Sequence, residues 1–201
     1  MKTIRYAKTD MDKIINTLIS GGILAFPTDT VFGLGCIMDE DAMKKIYEAK
    51  ERDLNKSLPM MCSGIDMIKE YAYVSEDAEK IIEGFTPGAL TIVLKKKENV
   101  DDCLTGGKKT IAIRVPDDEW IIELITKMGK PLMVTSANIS EHGSLLKWKD
   151  VYREMKGKID GMVCEDARGD LASTIVDASE EEIRLLRQGP IDFERIMEVT
   201  R

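Results

Sequence analysis

Apolar residues recur at helical spacing in several stretches of the chain, and each stretch is bounded by a residue that starts or ends helices. The first stretch stops at Gly21 and Gly22, another follows Ser75, and a third is closed by Gly129. Asp39 or Asp41 can cap the helix that carries Ala42 to Ala49. The predicted helices cover residues 10–20, 42–50, 65–71, 75–83, 119–128, 148–155 and 193–199.

Short apolar runs between turn residues predict strands. The run at 23–26 lies between a glycine pair and Pro27, and its continuous apolar character is typical of a strand buried on both faces. The predicted strands cover residues 23–26, 90–94, 110–115, 131–134, 161–164, 173–177 and 183–186. A polar turn at 135–140 is expected to follow the strand at 131–134.

The segment 110–115 alternates cleanly between the two faces of a strand. Ile111, Ile113 and Val115 share one face, whereas Thr110 and Arg114 share the other, because side chains change face at every residue. This register predicts that Ile113 packs in the core and that Arg114 points away from it.

The stretch 21–52 combines a strand, a polar turn and a helix that ends in two cations. Thr28, Asp29 and Thr30 follow Pro27, and the helix ends with Lys50 and Arg52. Between them, residues 33–35 read Gly-Leu-Gly, which predicts a glycine loop with either positive φ or a close backbone approach. This order suits the binding of a polar, anionic ligand beside the carboxyl end of the strand.

The order of elements predicts an α/β fold. Strands alternate with helices over most of the 201 residues, yet strands follow one another directly at 90–115 and 173–186. We therefore expect a single domain over residues 1–201, built on an open, twisted, mixed sheet with flanking helices.

Composition narrows the function classes. A net charge of -7 disfavours a protein that mainly coats nucleic acid, although Lys95 to Lys97 and the pair Lys108 and Lys109 are basic runs that usually lie on a solvated face. His142 is the single histidine, which excludes a histidine-rich metal site and disfavours a Ser-His-Asp triad.

The four cysteines are far apart and show no CxxC spacing, which is typical of reduced thiols. The N-terminus lacks a secretory signal and no apolar run could span a bilayer, so we expect a cytoplasmic protein without a membrane partner.

Polar side chains stand next to apolar strands at five separate places: Thr30; Arg52; Thr110 with Arg114; Ser136 with Asn138; Ser173 with Arg187. Taken singly, each has a structural interpretation, such as a capping hydroxyl, an ion pair at the core edge or a turn that closes on its own backbone. If they converge on one cavity, they could bind phosphates and a zwitterionic amino acid.

Seven motifs then identify a family resemblance. In chain order they are FPTDTVFGLG, the KxR of Lys50 and Arg52, TPGALTIVL (86–94), TIAIRVP (110–116), TSANIS (135–140), STIVD (173–177) and LLRQG (185–189). Together they resemble the YrdC-like threonylcarbamoyl-AMP synthase family over about residues 20–190. The resemblance implies an open, twisted α/β sheet with a large concave, positively lined cavity.

The resemblance also implies an activity. The family joins L-threonine, bicarbonate and ATP into threonylcarbamoyl-AMP with release of pyrophosphate, for threonylcarbamoyladenosine modification of tRNA. Such a reaction requires cations and hydroxyls that hold two anions, the carbamate and ATP, in line. The resemblance implies Mg²⁺ on the ATP phosphates and no prosthetic group. The implied partners are the three substrates and, downstream, a threonylcarbamoyltransferase complex and tRNA.

Roles carry over by motif. Thr30, Arg114, the backbone near Val134, and Ser173 are expected to hold threonine. Lys50 and Arg52 are the expected catalytic cations, and we expect their side chains to contribute little to the packing of the fold. The residues expected to bind ATP are Arg52, Lys56, Thr110, Ser136, Asn138, Ser144 and Arg187.

Three positions depart from the family pattern. Phe32 replaces a usual tyrosine, Met61 falls where some members carry histidine, and EHGS at 141–144 replaces a common GRPS. The chain ends soon after LLRQG and so resembles the family's single-domain form. Two alternatives remain open: a YrdC-like module that binds double-stranded RNA or nucleotide, and a related enzyme that handles a carbamoyl adenylate.

Overall fold

A computed structural model describes residues 2–54, 56–140, 143–169 and 171–201. Its strands are β1 Ile4–Tyr6, β2 Leu24–Phe26, β3 Gly33–Ile37, β4 Met60–Met61, β5 Ala72–Tyr73, β6 Leu90–Lys96, β7 Thr110–Arg114, β8 Leu132–Ser136, β9 Gly161–Val163, β10 Thr174–Asp177 and β11 Arg184–Arg187. Its α-helices are α1 Met11–Ile19, α2 Glu40–Lys50, α3 Ile65–Tyr71, α4 Glu76–Phe85, α5 Glu119–Met128, α6 Trp148–Met155 and α7 Phe193–Glu198. Short 3₁₀ turns lie at Lys8–Asp10 and Asp102–Thr105.

The strands of the described ranges form one mixed sheet, in the order β1-β9-β2-β3-β8-β4-β7-β6-β10-β11. The short strand β5 lies outside this order and pairs with β6. β9 pairs in parallel with β1 and β2, β4 with β7, and β6 with β10, whereas β3 and β8 pair antiparallel. The predicted α/β class with a mixed open sheet is therefore confirmed.

The predicted helices form, and capping side chains fix where three of them begin. Asp39, rather than Asp41, caps α2 by accepting from the Ala42 N–H at 2.9 Å. Ser75 accepts from the first turn of α4, and Asp118 does so at α5. Each cap satisfies backbone donors that a helix start leaves without an intrahelical partner.

Helices cover the two sheet faces unequally. On one face, α2, α3, α4, α6 and α7 pack on the sheet in a large apolar cluster that contains Ile111, Ile113 and Met133. On the other face, α1 and α5 pack over Phe26 and Val134 in a smaller cluster. The part of this second face formed by β6, β7 and β10 has no α1 or α5 residue over it, and it becomes the floor of a cavity.

The glycine loop predicted at 33–35 is wrong, because these residues lie in β3 between β2 and β8. The glycines are required by close approach and not by a turn. A Cβ at Gly35 would lie 2.9 Å from the Phe26 ring, and one at Gly33 would lie 3.1 Å from Val134 Cγ1. β8 also runs on to Ser136, so the turn expected at 135–140 begins two residues later.

Candidate active site

A cavity of about 410 Å³ opens on the uncovered part of the sheet. Its walls come from the turn after β2, the segment after α2, the inner strands of the sheet and the β10–β11 hairpin. The polar lining residues are Thr28, Thr30, Arg52, Ser57, Thr91, Lys108, Arg114, Thr135, Ser136, Ser144, Ser173 and Arg187. All of these side chains are cations or hydroxyls, which suits an anionic ligand.

A larger concavity of about 820 Å³ lies elsewhere, between α4 and the β10–β11 hairpin. Its lining includes Glu76, Asp77 and the three glutamates at 180–182, with Lys95 as the cation. Because carboxylates dominate there, it is unsuited to phosphates, and we place the candidate site in the smaller cavity.

Arg114 is the most constrained side chain of the cavity. It is 8% exposed, and its guanidinium donates to both carboxylate oxygens of Asp29, at 2.8 and 2.7 Å. It also donates to Thr30 Oγ1 at 2.6 Å and to the Gly88 carbonyl at 3.1 Å. Burial lowers the pKa of Arg114, and the charge of Asp29 opposes that effect. The predicted register of β7 is confirmed, since Arg114 lines the cavity while Ile113 lies in the core.

The turn after β2 holds Thr30 in place through a chain of hydroxyls. Thr28 Oγ1 accepts from the Thr30 N–H and donates to the Val31 carbonyl at 2.7 Å. With that proton committed, the 3.0 Å contact between the two threonine hydroxyls has Thr30 as donor. Thr30 Oγ1 therefore accepts from Arg114 and donates to Thr28, which fixes its orientation in the cavity.

Ser173 and Arg187 form the opposite wall. Arg187 donates to the Ser173 carbonyl from Nε at 3.0 Å and from Nη2 at 2.8 Å, and burial lowers its pKa. The Ser173 hydroxyl lies 2.7 Å from that of Thr91 on the neighbouring strand β6. Pairing of β6 with β10 brings these residues together across 82 positions of sequence.

Arg52 reaches the cavity from the end of α2. Glu51 adopts a left-handed conformation with φ of 53°, which ends the helix and redirects the chain. The Arg52 guanidinium donates to the carbonyls of Lys56 and Ser57, at 3.2 and 3.3 Å. Burial lowers the pKa of Arg52. Lys56 contributes a backbone acceptor to this arrangement.

The expectation that Lys50 owes little to packing is wrong. Its side chain is 1% exposed, and Nζ donates to the carbonyls of Ser136 and Asn138 in the turn after β8. The Ser140 N–H returns a hydrogen bond to the Lys50 carbonyl at 2.9 Å. Lys50 thus ties the end of α2 to the segment 136–140.

The structure brings together most of the predicted site residues. Those that line the cavity are Thr30, Arg52, Arg114, Val134, Ser136, Ser144, Ser173 and Arg187. Four others do not belong to its lining: Lys50, Lys56, Thr110 and Asn138. Asn138 is buried in the turn after β8, and Thr110 lies half-buried at the start of β7.

Several lining residues were absent from the prediction. Thr91 could have been found, because alternation along β6 places it on one face with Val93 while Leu90, Ile92 and Leu94 enter the core. Lys108 belongs to a basic run that the sequence predicts on a solvated face, yet it lines the cavity. Asp29 lies next to the lining in the predicted polar turn, and its pairing with Arg114 spans 85 positions and has no local signal.

Two further observations bear on the class of site. Within the described ranges, no three His, Cys, Asp or Glu side chains cluster as metal ligands would, and no helix there is long and apolar enough to cross a bilayer. His142 and Glu141, which entered the arguments about a triad and about the EHGS motif, lie outside the described residues.

Comparison with known proteins decides the family. The model of the Sua5/YciO/YrdC family, described as telomere recombination, matches residues 16–189. The chain belongs to this family. It is 37% identical over 182 residues to a threonylcarbamoyl-AMP synthase of Pyrococcus abyssi, covering 89% of this chain and 54% of that protein. It is 35% identical to a putative threonylcarbamoyl-AMP synthase of Methanocaldococcus jannaschii, covering 89% and 85% respectively.

Among solved structures, the Sua5/YciO/YrdC fold of this chain matches P. abyssi Sua5 complexed with L-threonine. The TM-score is 0.90 at 33% identity, and the match covers 98% of this chain and 60% of that one. The chain therefore spans little more than half of the P. abyssi protein.

Proposed function

We propose that the protein is a threonylcarbamoyl-AMP synthase, which joins L-threonine, bicarbonate and ATP and releases pyrophosphate. The observation that supports it best is the network of Arg114, Thr30 and Asp29 in the cavity. A buried guanidinium fork beside a hydroxyl suits the carboxylate and side-chain hydroxyl of threonine. The named relatives and the threonine complex favour this activity over an RNA-binding module or another carbamoyl adenylate enzyme.

The reaction needs positioning more than a protein nucleophile. The amine of threonine combines with bicarbonate to give a carbamate and water. A carbamate oxygen then forms a bond to the α-phosphorus of ATP as the bond from that phosphorus to the bridging oxygen breaks, and pyrophosphate leaves with the electron pair. Holding the two anions in line and matching the charge on the leaving group are the contributions required.

We assign threonine to the end of the cavity formed by Thr30, Arg114, Ser173 and the apolar wall at Val134. In this assignment the threonine carboxylate takes up Arg114 donors that now meet Asp29, so binding is an exchange of one carboxylate for another. Phe32 and Met61 also line this region and present apolar surface to the ligand.

ATP then occupies the remainder of the cavity. Arg52, Ser136, Ser144 and Arg187 line it and would contact the nucleotide, whereas Thr110, Asn138 and Lys56 support those walls from outside the lining. Mg²⁺ enters as part of the substrate, bound to the ATP phosphates. We assign Arg52 to the charge of the departing pyrophosphate and Lys50 to positioning Ser136 through its backbone hydrogen bonds.

The product is a mixed anhydride, which suits transfer of its threonylcarbamoyl group to a nucleophile. We propose tRNA adenosine as that acceptor, reached through a separate threonylcarbamoyltransferase complex. The enzyme is thereby a nucleotidyltransferase within the transferases.

A pyrophosphate-release assay tests the proposal. The protein is incubated with Mg²⁺-ATP and with bicarbonate and L-threonine, each present or omitted, and AMP and pyrophosphate are quantified separately. We expect release that needs all substrates, with serine and valine as poorer replacements for threonine. Release at the same rate without threonine would refute the activity, because it would indicate plain ATP hydrolysis.

A further inference from the structure

Lys108 stands apart from the other cations of the cavity. Arg114 is committed to Asp29 and Thr30, Arg187 to the Ser173 carbonyl, and Arg52 to backbone carbonyls. In the described residues no ion pair or hydrogen bond engages the Lys108 ammonium, although the residue lines the same cavity. It is the cavity cation that an incoming anion can meet without displacing a protein acceptor.

The backbone beneath Lys108 is well fixed. Gly106 and Gly107 both have positive φ, at 61° and 77°, in a tight turn that a β-carbon would strain. The Thr105 hydroxyl donates to the Lys108 carbonyl at 2.8 Å, and the Gly107 N–H donates to the Asp102 carbonyl at 2.8 Å. The turn therefore presents the exposed Lys108 side chain from a backbone that hydrogen bonds hold in place.

The position along the strand indicates which part of the ligand Lys108 meets. Lys108 precedes Arg114 by six residues, which is at most about 20 Å at the rise of a strand. Arg114 marks the end assigned to threonine, where the α-phosphate must meet the carbamate. The β- and γ-phosphates extend away from that point, and a lysine ammonium is a phosphate-binding group.

Charge balance points the same way. The three arginines and Asp29 leave two net positive charges at the cavity, which is less than the negative charge of a triphosphate and a carbamate together. Lys108 adds a third positive charge. We propose that Lys108 binds the terminal phosphates of ATP and stays on the pyrophosphate as it departs. This inference rests on the proposed function for the identity of the ligand.

The neighbouring residue provides a matched control. Lys109 does not line the cavity, and its ammonium lies 3.6 Å from Asp102 Oδ2 in a solvent-exposed pair. Lys108→Met and Lys109→Met remove the same charge from the same turn and keep a similar side-chain volume. A general effect of net charge would weaken anion binding equally in both variants, whereas a direct contact affects only Lys108.

The experiment is calorimetric titration of pyrophosphate, Mg²⁺-ATP and L-threonine into wild type, Lys108→Met, Lys108→Arg and Lys109→Met. For Lys108→Met we expect binding of pyrophosphate and ATP to weaken about three- to tenfold, as for one solvated charge-assisted contact. Threonine affinity should stay unchanged, Lys108→Arg should retain most of the affinity, and Lys109→Met should match wild type. The difference should shrink as salt is raised, because the contact is exposed to screening.

The outcomes separate this inference from the proposed function. Equal pyrophosphate affinity in wild type and Lys108→Met, equal losses in both methionine variants, or no pyrophosphate binding by wild type would each overturn the role of Lys108. If Lys108→Met alone weakens pyrophosphate binding while wild type shows no threonine-dependent release of pyrophosphate, the phosphate site is supported and the proposed synthase activity is refuted. If release occurs normally and Lys108→Met is unaffected in every titration, only the Lys108 inference fails.

Discussion

Lys50 offers a prediction whose sign and size follow from its burial. Its ammonium lies between the carbonyls of Ser136 and Asn138, the latter at 2.5 Å, with 1% of the residue exposed. The pKa of Lys50 is lowered from 10.5 to about 8, chiefly by burial and also by the charge of nearby Arg52, while Glu154 opposes the shift. A neutral amine still has two N–H donors for the two carbonyls, so deprotonation leaves these hydrogen bonds intact.

The consequence for stability is fixed in sign. Below pH 8 the amine is protonated in both folded and unfolded chains, and the full cost of burying the charge is present. Between pH 8 and 10.5 the unfolded chain binds more protons than the folded one, so stability rises with pH. The complete change is about 3 kcal/mol at 1.36 kcal/mol per pH unit. From pH 7 to 9.5 it amounts to about 2 kcal/mol.

Lys50→Met isolates this contribution because it keeps an unbranched side chain of similar length and removes the titrating group. Urea unfolding of both proteins at pH 7, 8, 9 and 9.5 gives the free energy of unfolding at each pH. Other titrating groups change both proteins alike and cancel in the difference. We expect wild type to gain about 2 kcal/mol relative to Lys50→Met across this range.

A constant difference between the two proteins from pH 7 to 9.5 would refute the reasoning. It would mean that the carbonyl oxygens and Glu154 stabilise the ammonium enough to cancel the desolvation cost. A difference that falls with rising pH would be more damaging still, because it would require a raised pKa and hence a dominant charge interaction. The same variant should lose turnover if the turn at 136–140 must be held by Lys50.

Three further substitutions separate binding from folding. Arg52→Ala should raise the activation free energy of pyrophosphate release by about 2 to 4 kcal/mol with little loss of stability. Turnover within threefold of wild type would contradict the role of Arg52. Ile113→Ala should destabilise the protein by about 2 to 5 kcal/mol in urea unfolding and leave threonine affinity unchanged in the folded fraction. Arg114→Lys should weaken threonine binding and, because four hydrogen bonds hold the guanidinium, lower stability by about 1 to 3 kcal/mol. Normal threonine affinity in Arg114→Lys would place the amino-acid site elsewhere.

Local signals account for the parts of the fold that were predicted correctly. α3, α5 and α6 form over the predicted ranges because their apolar residues recur at helical spacing, and at α5 the capping Asp118 and the terminating Gly129 agree with that pattern. The alternation of 110–115 gave the correct register of β7 for the same reason, since one face of that strand is in the core and the other is not. In these elements sequence neighbours carry the information that decides the structure.

The errors arise where distant residues decide. Residues 33–37 contain two glycines and suggested a loop, yet the space under Phe26 and Val134 admits a strand only if it lacks β-carbons there. β1 escaped prediction because it has three residues and two of them are exposed, so no apolar pattern marks it. The burial of Lys50 was missed because its acceptors are 86 and 88 positions away.

The cavity cations show why a site of this kind can fold without its ligand. Burial lowers the pKa of Arg52, Arg114 and Arg187. For Arg114, which is 8% exposed, an uncompensated charge would cost several kcal/mol. The chain meets that cost with its own acceptors, a carboxylate for Arg114 and backbone carbonyls for the other two. Ligand anions must then compete with these acceptors, so only a ligand that satisfies several cations at once gains free energy. In such a site selectivity comes from the simultaneous match, and the uncommitted Lys108 is the group through which affinity for phosphate can be added without loss of a protein contact.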